Sequence, residues 1–258
     1  MKRIIHLSDL HVGFPGLATR FERLVAGIVR RAAPASDFVV LVTGDLVESA
    51  FDAAARRFAR RRLRTLEQAG FALLVVPGNH DVGDGAFGLK RYARSFKRSY
   101  FGERPVVYPK LDVVDGVAFV GLDSMAAELH WYDTLGADGE LGERQLRRLA
   151  ALLAGPEVAA CVKTVVYLHH HPFDPEFLHE LKDAAALGEV LRGAPRPVDA
   201  LLYGHNHHAR AHNGAWGIPR CYDGGSATGK EGSRVVHRVI DLSLGPSADV
   251  IDNFLADC

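Results

Sequence analysis

Residues 38–45 read FVVLVTGD, an apolar run typical of a buried β-strand followed at once by Thr43, Gly44 and Asp45. The same order recurs where apolar runs begin near positions 4, 71, 117, 164 and 200, each ending in a short polar cluster. In α/β sheets, ligands bind outside the carboxyl ends of the strands. A chain that repeatedly places Asp, Asn and His there is predicted to assemble one site from distant segments.

The first third of the chain alternates strand and helix. Apolar spacing predicts strands over 2–7, 38–43 and 71–76, with helices over 18–33 and 52–69 between them. A β-α-β-α-β order implies a parallel sheet with helices packed outside it, so the predicted fold class is α/β.

The remainder is predicted to be richer in short strands. Turn signals around Asp115-Gly116 indicate a meander, and the tail beyond His207 reads as a β-rich finish. The predicted strands cover 105–108, 111–114, 117–122, 164–168, 200–203, 209–213, 217–222, 234–241 and 248–254, and the predicted helices cover 140–153 and 183–192.

Composition limits the classes of function. The 258 residues are 48% hydrophobic, which suits one well-buried domain over 1–258. With 31 basic and 31 acidic residues, a globally basic protein bound stably to nucleic acid is not expected. The three cysteines form no C-x-x-C, which favours a reducing cytoplasm, and no apolar stretch approaches the roughly 20 residues of a membrane span.

The helix predicted over 52–69 carries an arginine cluster with two interpretations. The simpler is a solvated helix face, and the alternative is a surface that attracts phosphate. Its members are Arg56, Arg57, Arg60, Arg61, Arg62 and Arg64.

The polar clusters together provide enough ligands for two metal ions. Two divalent ions a few ångströms apart need about six or seven protein ligands and one shared carboxylate. Each cluster alone could be a turn or a helix cap, but their consistent position at strand ends favours a metal centre. Oxygen and nitrogen donors without cysteine suit Mn, Fe, Zn or Co. The candidates are Asp9, His11, Asp45, Asn79, one histidine of 169–171, His205 and His207.

The set of motifs resembles the calcineurin-like metallophosphoesterase superfamily over residues 4–207. The motifs are Asp9-Leu10-His11, Gly44-Asp45, Gly78-Asn79-His80-Asp81, a histidine before Pro172, and Gly204-His205-Asn206-His207. A weaker likeness to the cyclic-nucleotide and glycerophosphodiester phosphodiesterase branch is carried by residues 121–124, Gly139, Leu141 and Gln145-Leu146.

The resemblance implies a four-layer α-β-β-α sandwich of two mixed sheets flanked by helices. It implies one metal held by Asp9, His11, Asp45 and His207, and a second held by Asp45, Asn79, His170 and His205. His170 is preferred to His169 because the resemblance places this ligand two positions before a proline, and His169 and His171 then have packing roles. Glu48 departs from the family, which often has Asp three residues after the shared carboxylate.

The implied reaction is in-line attack on phosphorus by a hydroxide that bridges the two metals, without a covalent enzyme intermediate. His80 is expected beside the metals, where it stabilises the phosphoryl charge or protonates the leaving oxygen. Asp81 is expected either to orient His80 or to cap a turn. Trp131 and Tyr132, in a long predicted loop, either cover the site or anchor that loop.

The sequence therefore predicts a metal-dependent hydrolase of a small phosphodiester, either a cyclic nucleotide or a glycerophosphodiester. The alternatives are a broad-specificity phosphomonoesterase, a lipid-linked diphosphate hydrolase, a nuclease, and a non-catalytic scaffold with the same fold. Balanced charge argues against the nuclease, and the complete ligand set argues against the scaffold. The oligomeric state, including a homodimer, is left open.

Overall fold

The computed structural model describes residues 1–83, 92–102, 106–125, 137–174, 176 and 179–255. The described strands form two five-stranded sheets. In the first sheet the three strands from the first third of the chain are parallel, and the tail adds an antiparallel pair whose inner strand also runs antiparallel to its neighbour from that third. Its order is β10 (Val250–Asp252), β9 (His237–Ile240), β1 (Arg3–Leu7), β2 (Phe38–Val42) and β3 (Ala72–Val75).

The second sheet is also mixed. Its first pair is an antiparallel hairpin joined at Asp115-Gly116, and the remaining pairs are parallel. Its order is β4 (Lys110–Val114), β5 (Val117–Gly121), β6 (Lys163–Tyr167), β7 (Ala200–Tyr203) and β8 (Cys221–Asp223).

Amphipathic helices cover the outer face of each sheet. The helices α1 (Leu17–Arg31) and α2 (Ala53–Gln68) bury their apolar sides on the first sheet, and Asp52 caps α2 through the backbone N–H groups of Ala54 and Ala55. On the second sheet lie α5 (Glu143–Leu153) and α7 (Ala184–Arg192). The shorter helices are α3 (Asn79–Val82), α4 (Ala93–Phe101) and α6 (Pro156–Ala159).

The inner faces of the two sheets pack directly on each other. Leu41 of β2 belongs to the same buried cluster as Phe119 of β5 and Tyr167 of β6, and all three side chains are almost inaccessible to solvent. Removing such side chains from water is worth about 1.5–3 kcal/mol each. The result is the predicted four-layer α-β-β-α sandwich, with the strand ends of both sheets at a common edge. The one-domain organisation over 1–258 stays a prediction.

Several local predictions were wrong. Residues 106–108 form no strand, and Tyr108 is instead buried between the sheets. The run 209–213 makes only a single bridge, at Ala211. Helix α4 is absent from the predicted elements, and Phe51, an apolar residue just before the helix predicted over 52–69, is 44% exposed.

The loop that contains Trp131 and Tyr132 lies outside the described residues, so its two interpretations stay open. Within the described ranges, we find no helix with the length and apolar character that a membrane crossing requires.

Candidate metal centre

The polar clusters that follow β1, β2, β3, β6 and β7 meet at one edge of the sandwich. Backbone hydrogen bonds continue past the strand ends and align neighbouring loops: His11 N–H donates to the Asp45 carbonyl at 2.9 Å. Across the second sheet, Gly204 N–H donates to the His169 carbonyl at 2.9 Å. The expected convergence of distant segments is therefore present.

Two glycines allow these loops to approach closely. A Cβ atom on Gly78 would lie 2.1 Å from Asp45 Oδ1, and one on Gly204 would lie 1.9 Å from Ser8 Oγ. Neither position accommodates a larger residue without moving a candidate ligand or its neighbour. The glycines in the Gly78-Asn79 and Gly204-His205 motifs are thus explained by contact distance.

The first cluster contains Asp9, His11 and His207. His207 Nε2 lies 3.2 Å from Asp9 Oδ1 and 3.1 Å from His11 Nε2. His11 Nδ1 faces Glu48 Oε2 at ion-pair distance, 2.8 Å. A carboxylate at this side of the ring favours a proton on Nδ1, which leaves Nε2 as the nitrogen directed into the cluster. Such a donor set is suited to a transition-metal cation.

The second cluster contains Asp45, His169 and His205, with Asn79 beside them. His169 Nε2 lies 3.3 Å from Asp45 Oδ2, 3.0 Å from Asn79 Oδ1 and 3.2 Å from His205 Nδ1. His169 Nδ1 donates to the Thr43 carbonyl at 2.7 Å, which leaves its Nε2 lone pair directed at the other donors. A second cation therefore has a matching set of ligands.

Asp45 lies between the two clusters. Its Oδ2 atom is 3.3 Å from His169 Nε2 and 3.8 Å from His11 Nε2, while its Oδ1 accepts a hydrogen bond from His80 N–H. One carboxylate thus faces ligands of both clusters, the position that a shared ligand requires.

The structure corrects the choice of His170. Its Nδ1 accepts from Ser124 Oγ at 2.7 Å, and its Nε2 donates to the Ala137 carbonyl at 3.0 Å, so both ring nitrogens are occupied away from the carboxylates. Burial lowers the pKa of His170 to about 3, consistent with a neutral ring. His169 takes the position assigned to His170, because it is His169 that lies against Asp45.

The structure also corrects the orienting role considered for Asp81. Its carboxylate accepts backbone N–H bonds from Gly78, Leu46 and Val47 at 3.0–3.3 Å, and so ties two site loops together. His80 is oriented instead by the Glu48 backbone carbonyl, which lies 2.5 Å from its Nδ1. The capping interpretation of Asp81 agrees with these contacts.

Glu48 is the residue whose importance the sequence understated. Its side chain holds His11, its backbone carbonyl holds His80, and its other contact is Lys230 Nζ at 2.9 Å. Its location three residues after Asp45 was noted, but nothing in the sequence showed that it contacts two functional histidines. Lys230, from the distant tail, carried no sequence signal at all.

The charges of the cluster reinforce one another. Burial raises the pKa of Asp9, but His207 and the bond from His11 hold it well below the usual range. Burial likewise raises the pKa of Asp45, but the charge of the neighbouring His169 has the larger opposite effect. The pKa of Asp45 is therefore also strongly lowered. Burial lowers the pKa of His11 and His169, yet the facing carboxylates raise both to about 9. Without a metal, the buried carboxylates thus keep both rings protonated near neutral pH; a bound cation would replace the Nε2 protons and supply the positive charge.

The backbone at these positions is unusual. A left-handed φ is uncommon outside glycine and costs on the order of 1–3 kcal/mol per residue, and such strain concentrates at functional sites. The residues with this conformation are Asp9 (53°), His11 (44°), Asp45 (50°), His205 (80°) and His207 (55°).

A further histidine cluster lies beside the centre. It contains His171, Asp174 and His212, whose nitrogen and oxygen atoms also lie within 4.8 Å of one another. His171 Nδ1 accepts backbone N–H bonds from Phe173 and Asp174, and Arg210 pairs with Asp174 at 2.9 Å. In this third cluster His171 Nδ1 and the Asp174 carboxylate are therefore already occupied by contacts within the protein, unlike the donor atoms of the first two clusters.

Comparison with known proteins identifies the family. The profile described as calcineurin-like phosphoesterase matches residues 2–209. The chain is 31% identical to the cAMP/cGMP dual specificity phosphodiesterase of Mycobacterium tuberculosis, over 94% of this chain and 80% of that protein.

Solved structures share the fold. A dimetal phosphatase from Danio rerio superposes with a TM-score of 0.68 at 15% identity, covering 92% of this chain and 91% of that one. The sulfate thiohydrolase SoxB of Thermus thermophilus gives 0.55 at 14% identity, covering 98% of this chain and 54% of that one. With the two clusters of metal-ligand type, these findings support two metal ions. The chain belongs to the calcineurin-like phosphoesterase family and is a metal-dependent phosphoester hydrolase.

Proposed function

We propose that the protein hydrolyses a small phosphodiester at a centre of two transition-metal ions, drawn from Mn, Fe, Zn or Co. One ion would be held by Asp9, His11, Asp45 and His207. The other would be held by Asp45, Asn79, His169 and His205. The observation that carries the proposal is the position of Asp45, whose Oδ2 atom faces nitrogen ligands of both clusters.

The protein side chains have distinct roles in this reaction. When bound, the two ions would offset the negative charge of the phosphate and lower the pKa of a water molecule toward neutrality. His80 lies beside Asp45, with its Nδ1 proton donated to the Glu48 carbonyl and its Nε2 4.0 Å from Asp45 Oδ2. Its side chain is 18% exposed, so it remains accessible to a substrate. We assign it to stabilising the phosphoryl charge or, as the imidazolium, to protonating the leaving oxygen.

Asp81 and Glu48 act through other residues. Asp81 fixes the loops that carry Asp45 and Asn79 by accepting their backbone N–H bonds. Glu48 fixes the ring orientation of His11 through its carboxylate and that of His80 through its carbonyl. Such partners keep ligands in the correct tautomer and position.

A cyclic nucleotide is the first substrate to test, and a glycerophosphodiester is the second. Support comes from the 31% identical relative, which is named as a phosphodiesterase for cAMP and cGMP. The formal net charge is zero, so the chain as a whole is not basic, which agrees with a small substrate better than with a long nucleic acid.

A hydrolysis panel tests this proposal. Protein loaded with Mn²⁺ is assayed against bis(p-nitrophenyl) phosphate, p-nitrophenyl phosphate, cyclic AMP, cyclic GMP and glycerophosphocholine. We expect kcat/KM for the aryl diester to exceed that for the monoester by at least about tenfold, or 1.4 kcal/mol of transition-state stabilisation. A preference for the monoester would favour a phosphomonoesterase instead. Purified protein that neither binds metal nor hydrolyses any ester would remove the enzyme proposal.

We also propose a cytoplasmic location. Among the described residues the two cysteines, Cys161 and Cys221, are both buried and unpaired, as expected in a reducing compartment. Fractionation of cells that produce the protein, with a cytoplasmic enzyme as marker, tests this location.

A further inference from the structure

A basic groove lies between α2 and α4. It has a volume of about 470 Å³, and no acidic residue is among those that line it. We call it the arginine groove. Its lining residues are Ala53, Arg56, Arg57, Arg60, Arg61, Arg64, Arg98 and Ser99.

Some of these arginines build the walls of the groove. Arg56 Nη1 donates to Ser95 Oγ at 2.7 Å, and Arg60 Nε donates to the Ser99 carbonyl at 2.8 Å, so both join α2 to α4. Arg60 also pairs with Glu67 at 2.7 Å. The walls are therefore held in place by contacts within the protein.

Three other arginines of the groove do not join α2 to α4. Arg57, Arg61 and Arg64 are exposed, and among the described residues their guanidinium groups have no hydrogen-bond, ion-pair or ring partner. They follow one another at spacings of four and three residues on α2, and like charges at this spacing destabilise a helix. The chain as a whole has no net charge, so this concentration of positive charge is local. An anionic ligand would relieve the repulsion.

The chemistry of the lining favours phosphate groups over bases. The planar guanidinium fork binds phosphate oxygens in pairs, which a lysine ammonium does not. None of the described lining residues is aromatic, so the groove has no surface on which a base could stack. The rings of Tyr92 and Tyr100 are already covered by Arg56 and Arg60.

The size of the groove favours a small ligand. Its volume falls within the roughly 300–1,000 Å³ usual for small-molecule sites. Several arginines in so small a volume match several adjacent negative charges better than a single one. A long nucleic acid would need a broader basic surface, which the balanced composition does not indicate.

We propose that the arginine groove binds a run of consecutive phosphates, as in inorganic polyphosphate or the phosphate tail of a nucleoside triphosphate. This site uses none of the candidate metal ligands and does not depend on the proposed function. Arg57, Arg61 and Arg64 supply the free guanidinium groups, and Arg56 and Arg60 form the supporting wall.

Binding of tripolyphosphate to the Zn²⁺-saturated protein, in excess Zn²⁺, tests the proposal, because Zn²⁺ is diamagnetic and leaves the NMR signals observable. The triple variant Arg57→Gln, Arg61→Gln, Arg64→Gln removes three positive charges with a good helix-forming residue. The matched control, Arg144→Gln, Arg147→Gln, Arg148→Gln, removes the same charge from α5. Equilibrium dialysis measures affinity, and the arginine Nε–Hε NMR signals, assigned with the single variants, report where the anion binds.

We expect the groove variant to bind tripolyphosphate at least about tenfold more weakly at the groove, which is 1.4 kcal/mol. The control and wild type should bind equally, all three proteins should retain diester hydrolysis, and the Arg57, Arg61 and Arg64 signals should shift on titration. Equal affinity in the groove variant and wild type, or shifts confined to arginines elsewhere, would overturn the proposal.

Three further probes define the ligand. A non-hydrolysable ATP analogue that binds as tightly as tripolyphosphate supports recognition of the phosphate run, whichever molecule carries it. Orthophosphate should bind far more weakly, because it presents only one phosphate. A single-stranded oligoribonucleotide that binds more tightly than tripolyphosphate, and loses that binding in the groove variant, would show that the groove takes nucleic acid and that the proposal is wrong.

Discussion

Two histidine clusters in this protein have similar composition but opposite hydrogen bonding. One contains Asp45, His169 and His205, and the other contains His171, Asp174 and His212. His169 donates its Nδ1 proton to a carbonyl, so its Nε2 lone pair faces the cluster. His171 accepts two backbone N–H bonds at Nδ1, so its Nε2 carries the proton.

The difference shows that the partner of the far ring nitrogen decides whether a histidine can be a ligand. A nitrogen that carries a proton has no lone pair for a cation. In the second cluster, Arg210 already neutralises Asp174, and His212 is bonded to both Tyr203 and Asp174. We therefore expect metal only at the first two clusters, and the following predictions test this difference.

The largest effect is expected for Asp45→Asn. Loss of the shared negative charge should weaken the binding of both ions and abolish hydrolysis. The loss in kcat should exceed the about 10²–10³-fold that removal of one electrostatic contact typically costs. Metal content by mass spectrometry and diester turnover measure it. Asp174→Asn, in the other cluster, is the control and should retain both. Near-native turnover of Asp45→Asn would contradict the shared role.

His80→Ala should come next. His80 Nδ1 is bonded to the Glu48 carbonyl, and its Nε2 lies 4.0 Å from Asp45 Oδ2, within ligand distance of His11 and Asp45. Because we assign it to the substrate and not to a metal, its loss should lower turnover by about 10²–10⁴-fold with both metals retained. His208→Ala, a partly exposed neighbouring histidine paired with Glu176, should have little effect. Loss of metal from His80→Ala would show that this residue is a ligand.

The pair His169→Ala and His171→Ala tests the comparison directly. His169→Ala removes a ligand and should reduce the affinity for one ion more than about 100-fold. Loss of a hydrogen bond that only supports a ligand costs about 10–100-fold. His171→Ala should leave metal affinity unchanged. Competition with a chelator of known affinity measures the metal affinity of both variants. A larger loss in His171→Ala than in His169→Ala would show that the partner of Nδ1 does not decide which histidine binds metal.

A smaller effect is expected when the support of His11 is removed. Glu48→Ala deletes the carboxylate that holds His11 Nδ1, and we expect a loss of about 10–100-fold in metal affinity. Glu143→Ala removes another ion-paired glutamate, on exposed α5, and is the control. Unchanged metal affinity in Glu48→Ala would show that the ring is held by packing alone.

The smallest effect concerns His237, a buried histidine outside the candidate metal clusters. His237 donates to the Ala227 carbonyl and accepts from Phe254 N–H, and burial lowers its pKa to about 4. The folded state therefore disfavours the charged ring, so its contribution to stability is full above about pH 6.5 and is lost as pH falls toward 4. Between pH 7 and pH 5 the free energy of unfolding should fall by about 2 kcal/mol more in wild type than in His237→Asn. Urea unfolding at both pH values measures this, and parallel losses would refute it.

Much of the architecture was predictable because local patterns agree with it. The runs that became β1, β2, β6 and β7 are continuous apolar segments, and most polar residues after them were correctly expected to meet. The tail was harder, because 209–213 has strand-like composition but makes only one bridge, at Ala211. Helix α4 was missed since its stabilising contacts, such as Arg56 with Ser95, come from a distant helix.

The choice within His169-His170-His171 could not be made from neighbouring sequence. The direction of each ring depends on partners such as Thr43 and Ser124, which lie 126 and 46 residues away along the chain. Distance to Pro172 favoured His170, whereas His169 lies beside Asp45, because a proline fixes the local backbone and not the partner of a ring nitrogen. The role of Glu48 was hidden for the same reason.

The left-handed backbone at Asp9, His11, Asp45, His205 and His207 limits how this site can evolve. Glycine would relax the chain at each of these positions but would delete a ligand, so selection for thermal stability and selection for turnover oppose each other there. β-Branched replacements would be unfavourable for two reasons: they rarely adopt a positive φ, and they would remove the metal ligand. A search for stabilising substitutions should therefore find gains at these five positions only in variants that have lost catalysis.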